Sequence, residues 1–266
     1  IAGTFLKESE TMLLDIQQLT IFAGDERRPI VSGADFAVSR GEIAAVVGGS
    51  GSGKTTLGLS VLRLIDPALR VSSGKIIWKG QNVLRLSEKK MRAIRGAEIS
   101  MVFQEPLNAF DPLFSIQEQM DEILRAHTPL KQGERKDKMV SLLKACGISD
   151  AGRILQSYPH QLSGGLRQRA MIAQALACDP SLIIADEPTS SIDVTLQAKI
   201  IELFQRLRED FKLSLVFITH DFGIVRHLAD TVYVMNNGRI IESGPADDVL
   251  DHPGQAYTKQ LIQAAA

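Results

Sequence analysis

The chain has 266 residues, is 44% hydrophobic, and sets 30 basic against 31 acidic side chains for a formal charge of -1. That length suits one large domain, or one domain carrying a subdomain, with enough apolar residues for a sizeable core. The balanced charge excludes a global pull toward nucleic acid, and no apolar run approaches the roughly 18–20 residues that a membrane-spanning helix needs.

Along the chain, "IAGTFLKESE" (1–10) lacks the basic and apolar regions of a leader. Residues 1–11 are expected to be a disordered or added tail, Met12 a candidate start, 12–262 the folded domain and 263–266 a short tail. "LLDIQQLTIF" (13–22), "FAVSRGE" (36–42) and "GKIIWKG" (74–80) alternate in polarity and are bounded by turns, as antiparallel strands are. "EIAAVVGG" (42–49) is an apolar strand running into glycines, and a helix is expected from Lys54 to Ile65. The basic run "KKMRAIRG" (89–96) reads as a solvated helix face. "EISMVFQ" (98–104), "SLIIADE" (181–187), "SLVFITH" (214–220) and "TVYVMNN" (231–237) are continuously apolar and end in polar residues. Such strands are buried on both faces, hence a mainly parallel sheet covered by helices. Between Pro112 and Pro159 only helical spacing occurs, at 115–127 and 134–147, which predicts a helical insertion over about 112–162. Cys146 and Cys178 lie far apart without metal-ligand spacing, as expected of plain thiols in a reducing compartment. The fold class is therefore α/β: a mainly parallel core, an N-terminal antiparallel β subdomain and an inserted α-helical subdomain.

"GGSGSGKT" (48–55) follows a buried strand and opens a helix, the context of a phosphate-binding P-loop. Gly48, Gly49, Ser50, Gly51, Ser52 and Gly53 let consecutive backbone N–H groups face an anion, aided by the helix N-terminus. Lys54 is expected to reach the β- and γ-phosphates and Thr55, followed by Thr56, to ligate Mg²⁺. "SLIIADEP" delivers two carboxylates at the C-terminal edge of a strand, where open α/β sheets bind ligands. Asp186 suits the metal, and Glu187 suits orienting and polarising an attacking water. These features describe a Mg-nucleotide hydrolase or kinase.

"LSGGLRQR" (162–169) narrows this. With the P-loop and "IIADEP", it resembles the nucleotide-binding subunits of ABC transporters, whose signature is LSGGQ-like. The resemblance covers essentially Leu13 to the C-terminus. It implies that Gln104 is the Q-loop glutamine, a ligand of Mg²⁺ and a reporter of γ-phosphate occupancy. It also implies that Asp193 in "SSID" is the D-loop acid at a subunit junction, that His220 in "THD" contacts the γ-phosphate, and that Phe22 stacks on adenine. Family members pair head to tail. Ser163, Gly164 and Gly165 of one subunit then cover the γ-phosphate held by the P-loop of the other, so ATP joins the subunits and hydrolysis releases them.

"MVFQEPLNAFDPLFSI", "YPHQLSGGLRQR", "ADEPTSSIDVT" and the tail "GRIIESGPADDVLDHPGQAYTKQLI" are similar to the oligopeptide, dipeptide and nickel importers. That similarity implies a bacterial or archaeal importer, peripheral on the cytoplasmic face of the inner membrane. Its implied partners are two transmembrane permease subunits, a second and often non-identical ATPase subunit, and indirectly an extracytoplasmic binding protein, with no nucleic acid. Peptide, nickel and metallophore remain open as cargo. Three departures stand out: Ser191-Ile192-Asp193 in place of ALD, Gly49 where this group usually has Glu, and Gly254-Gln255-Ala256-Tyr257-Thr258 at the HPYT-like ending. The rival class is a soluble ABC ATPase acting on nucleic acid or ribosomes; it is disfavoured by the single cassette and the short helical insertion.

Overall fold

The structure is a computed structural model that describes residues 12–24, 28–190, 192 and 194–265. Asp193 and the expected tail at 1–11 lie outside the described residues. In chain order the elements are β1 (Met12–Ala23), β2 (Pro29–Ser39), β3 (Ile43–Val47), α1 (Lys54–Val61), β4 (Leu69–Trp78), β5 (Gln81–Asn82), α2 (Glu88–Ile94), β6 (Ile99–Val102), α3 (Pro106–Ala109), α4 (Ile116–His127), α5 (Gln132–Ala145) and α6 (Ala151–Gln156). There follow α7 (Gly164–Ala175), β7 (Leu182–Asp186), α8 (Val194–Phe211), β8 (Ser214–Thr219), α9 (Phe222–Leu228), β9 (Thr231–Asn236), β10 (Arg239–Pro245), α10 (Ala246–Asp251) and α11 (Ala256–Ala265). They group into two compact units, one reaching Met91 and resuming at Ser214, the other spanning Arg92–Leu213.

The first unit contains an antiparallel sheet in the order β2-β1-β4-β5. Leu14, Ile16, Leu19 and Ile21 of β1 are buried, as are Val31, Ala34, Phe36 and Val38 of β2. The alternation slips between Ile16 and Leu19, where the pairing register shifts and Gln18 takes a φ of +48°. This bulge turns Leu19 back to the core face, which strict period-2 reading could not place. The same unit pairs β3 in parallel with β8 on one side and β9 on the other, and β10 runs antiparallel to β9. Every residue of β3 and β8 is buried, the outcome that their unbroken apolarity predicts.

The second unit pairs β6 in parallel with β7 and surrounds the pair with helices. In α4, Ser115 caps the helix with Glu118 in a reciprocal capping box, and Ile116, Met120 and Leu124 are buried one turn apart. Arg135 of α5 clamps Asp121 of α4 through two N–H donors at 2.6 and 3.2 Å. Both cysteines are free thiols; burial pushes that of Cys146 up to about 12, so it stays protonated and inert.

Several boundaries differ from expectation. The helix after the P-loop ends at Val61 rather than Ile65, because Arg63 turns into the left-handed region at φ +53°. β2 begins at Pro29, seven residues before the expected strand, and α11 runs through Ala265. α8 was not anticipated, although Ile200, Leu203, Phe204 and Leu207 carry the helical spacing and are all buried.

Candidate functional site

In the first unit the buried strand β3 feeds directly into residues 48–53 and then α1. Glycine is required at both ends of this loop. A Cβ on Gly48 would sit 2.1 Å from the carbonyl oxygen of Met235, and one on Gly53 would sit 2.6 Å from that of Ile30. Gly53 also caps α1 from the left-handed region, at φ +101°. The first turn of α1 holds no acidic residue to offset the positive potential of its N-terminus. Lys54 is only 6% exposed. Its Nζ donates to the carbonyls of Gly48 and Gly49, both at 2.9 Å, which anchors the ammonium over the loop. Thr55, Ser50 and Gly51 are exposed at the loop's open side, Thr56 is half-buried, and Ser52 is buried with an unpartnered Oγ. The Gly49 N–H donates to Tyr257 Oη at 3.1 Å, a contact that no motif announces.

His220 follows the last residue of β8 and is exposed. Its neighbour Asp221 caps α9, accepting from the N–H groups of Gly223 and Ile224, while its own N–H donates to Thr219 Oγ1 at 3.0 Å. The histidine is thus held between a strand end and a capped helix, so its backbone position is set. Phe22 lies half-buried on β1, opposite Pro29 of β2 and Arg70 of β4.

The second unit brings Gln104 and Glu187 together. Gln104, just beyond β6, donates from Nε2 to Glu187 Oε2 at 3.1 Å. Asp186 ends β7 and is 4% exposed; Glu187 leaves the strand with φ +44°. The Glu187 carbonyl accepts from the N–H and the hydroxyl of Ser190, which closes the turn. Within the second unit the Asp186 carboxylate and the carbonyl oxygen of Gln104, whose amide donates to Glu187, are oxygen donors that suit a hard divalent cation. This fit rests on donor chemistry.

The signature residues open a second helix, whose N-terminus suits an anion. Ser163 caps α7, a helix with no acid in its first turn, and its Oγ accepts from the Leu166 N–H. Ser163 and Gly164 are exposed, and with Gly165, Arg169, Leu196 and Lys199 they line a cavity of about 510 Å³. Arg169 is braced by the Cys146 carbonyl at 2.7 Å. Arg169 sits within the quoted signature run and could have been singled out there, four residues beyond Gly165. Lys199 lies on α8 and carried no signal.

A family profile described as ABC transporter matches residues 31–190. The chain is 44% identical over 263 residues to the peptidoglycan transport ATP-binding protein YejF of Agrobacterium fabrum, covering 97% of this chain and 48% of that protein. It therefore spans about half the length of that relative. It is 43% identical over 233 residues to the dipeptide transport ATP-binding protein DppD of Bacillus subtilis, with 87% and 70% covered. A dimeric ATP-binding cassette solved in a post-hydrolysis state with ADP and Pi is similar at TM-score 0.78 and 26% identity, over 88% of this chain and 99% of that one. The matched span contains the P-loop, Gln104, the signature and the Asp186–Glu187 strand end, and on that basis this chain belongs to the ABC transporter family.

Proposed function

We propose that this chain is the ATP-binding and ATP-hydrolysing subunit of an importer, working on the cytoplasmic face of a membrane that its partners span, with peptides as the cargo. The observation that carries the reading is the Gln104–Glu187 hydrogen bond beside a buried Asp186, in a chain that also holds a preformed P-loop. Peptide cargo is favoured by the kinship with transport ATP-binding proteins for dipeptides and peptidoglycan.

In this reading Lys54 and the loop amides hold the phosphates, and Thr55, Gln104 and Asp186 are the residues that would hold Mg²⁺. When bound, the cation would neutralise negative charge on the phosphate oxygens. Glu187 orients and polarises the water that attacks the γ-phosphorus, giving ADP and phosphate. His220 contacts the γ-phosphate, and Phe22 stacks on adenine. Ser163, Gly164 and Gly165 cover the nucleotide of a second, non-identical ATPase subunit, and Asp193 lies at that junction. Phe103, Leu107, Leu113, Phe114 and Tyr158 of the second unit are large apolar residues left 39–78% exposed. The Ile116 N–H donates to the Ser157 carbonyl, which sets Tyr158 beside the 113–116 segment. Exposed apolar side chains of this kind suit a protein partner, and the permease subunits are the partner proposed for them.

Mass spectrometry of what co-purifies with the chain from mildly solubilised membranes tests the assembly. Two permease chains and a second cassette are the expected result, with uptake of labelled dipeptide, rather than of nickel or its chelates, lost when the chain is deleted. Recovery with ribosomes or DNA, or as a lone soluble chain, would refute the importer reading.

A further inference from the structure

Tyr257 belongs to none of the roles above, yet it is the side chain that receives the Gly49 N–H. We infer that Tyr257 is a positioning residue of the nucleotide site: its hydroxyl pins the Gly49 peptide and so preforms the P-loop before nucleotide arrives. This rests on the reading of residues 48–55 as the phosphate loop.

The Gly49 backbone is held on both sides. Its N–H donates to Tyr257 Oη at 3.1 Å, and its carbonyl accepts from Lys54 Nζ at 2.9 Å. Removing the hydroxyl frees the first of these while the second remains. Gly49 is also the residue that lets the hydroxyl in: a Cβ there would stand 3.0 Å from Oη, too close without displacing it. The contact therefore depends on a pair of residues, one from the loop and one from α11.

The tyrosine is itself held in place. Its ring packs on a buried cluster that includes Ala45 and Val47 of β3, Phe222 and Val225 of α9, and Val249 and Leu250 of α10. On either side of Tyr257, the Glu242 carboxylate of β10 gathers the start of α11. It accepts from the N–H groups of Gly254 and Gln255 at 2.6 and 3.2 Å and from the Thr258 hydroxyl, which is fully buried. The hydroxyl of Tyr257 thus arrives at the loop on a fixed scaffold, the condition under which one hydrogen bond lowers the ordering cost of binding. The same cluster joins the strand that feeds the P-loop to the helix that follows His220, so Tyr257 touches the support of both.

The test is titration of the chain with a fluorescent ADP analogue, with dissociation followed by stopped flow, for wild type, Tyr257→Phe, Gly49→Ala and the double variant. Tyr257→Phe keeps the ring and its packing, so its thermal midpoint should match wild type. Its affinity should fall roughly 3- to 10-fold, the effect of one lost hydrogen bond, through faster release. Gly49→Ala should weaken binding similarly by displacing the hydroxyl, and the double variant should be no weaker than either single one, because both remove the same contact. Wild-type affinity in Tyr257→Phe would overturn the inference, as would effects that simply multiply in the double variant; both would leave Tyr257 as packing alone. A wild-type chain that fails to bind the analogue would overturn the phosphate-loop reading itself, and the inference with it.

Discussion

Glu187 combines a chemical demand with a backbone one. At φ +44° it occupies a region that costs a side-chain-bearing residue roughly 1–2 kcal/mol. The Ser190 N–H and hydroxyl hold its carbonyl in that turn. Strain retained at a carboxylate that also meets Gln104 points to a side chain whose direction matters. Glu187→Gln separates the two demands. It keeps the backbone geometry and an oxygen to accept from Gln104, but it removes the basic group. Turnover of ATP should fall by at least about 10²-fold, while the thermal midpoint stays that of wild type. Near-normal ATPase activity in this variant would remove Glu187 from the chemistry.

The terminal helix α11 shows how an element can be held by one residue from elsewhere. Glu242 is partly desolvated, which works against its charge. The Thr258 hydroxyl, the Gly254 and Gln255 N–H groups and the nearby Lys259 outweigh that effect and leave its pKa below the ordinary carboxylate value. A carboxylate depressed in the folded state stabilises the fold above its unfolded pKa and loses that contribution as pH falls through the folded value. Glu242→Gln should therefore cost about 1 kcal/mol at neutral pH. The deficit should shrink toward zero below about pH 4, as read by urea unfolding of both chains at the two pH values. A deficit unchanged at low pH would mean that the charge contributes nothing. Nothing in the local sequence foretells this clamp. The buried strands were legible because continuous apolarity is a local property: β3, β7 and β8 fall close to where "EIAAVVGG", "SLIIADE" and "SLVFITH" put them. The P-loop was legible for the same reason, as a glycine pattern between a strand and a helix. The bulge at Gln18, the left-handed turn at Arg63 and the Tyr257–Gly49 contact depend on partners 17 and 208 positions away or on a single backbone torsion, and none of them leaves a periodicity to read.

Two helix N-termini, those of α1 and α7, have no acid in the first turn, which suits an anion at each. The related cassette solved with ADP and Pi is dimeric. If each N-terminus serves a different nucleotide, ATP must bind single chains but be hydrolysed only by pairs. Gly165→Asp addresses the second N-terminus alone. Its Cβ would press on Leu196 at 3.2 Å, and its carboxylate would place a negative charge where a phosphate is expected. The variant should bind ATP within about 2-fold of wild type, because the P-loop is untouched and exposed charges are screened by salt. In the Glu187→Gln background, where ATP persists, light scattering should show ATP-driven pairing, with itself or with the co-purifying cassette. Adding Gly165→Asp should abolish that pairing. Turnover per wild-type chain should also rise with the concentration of its pairing partner, a second copy or the co-purifying cassette, before it saturates. Turnover independent of concentration, or pairing that survives the aspartate, would mean that one chain completes its own site and that the signature has another purpose.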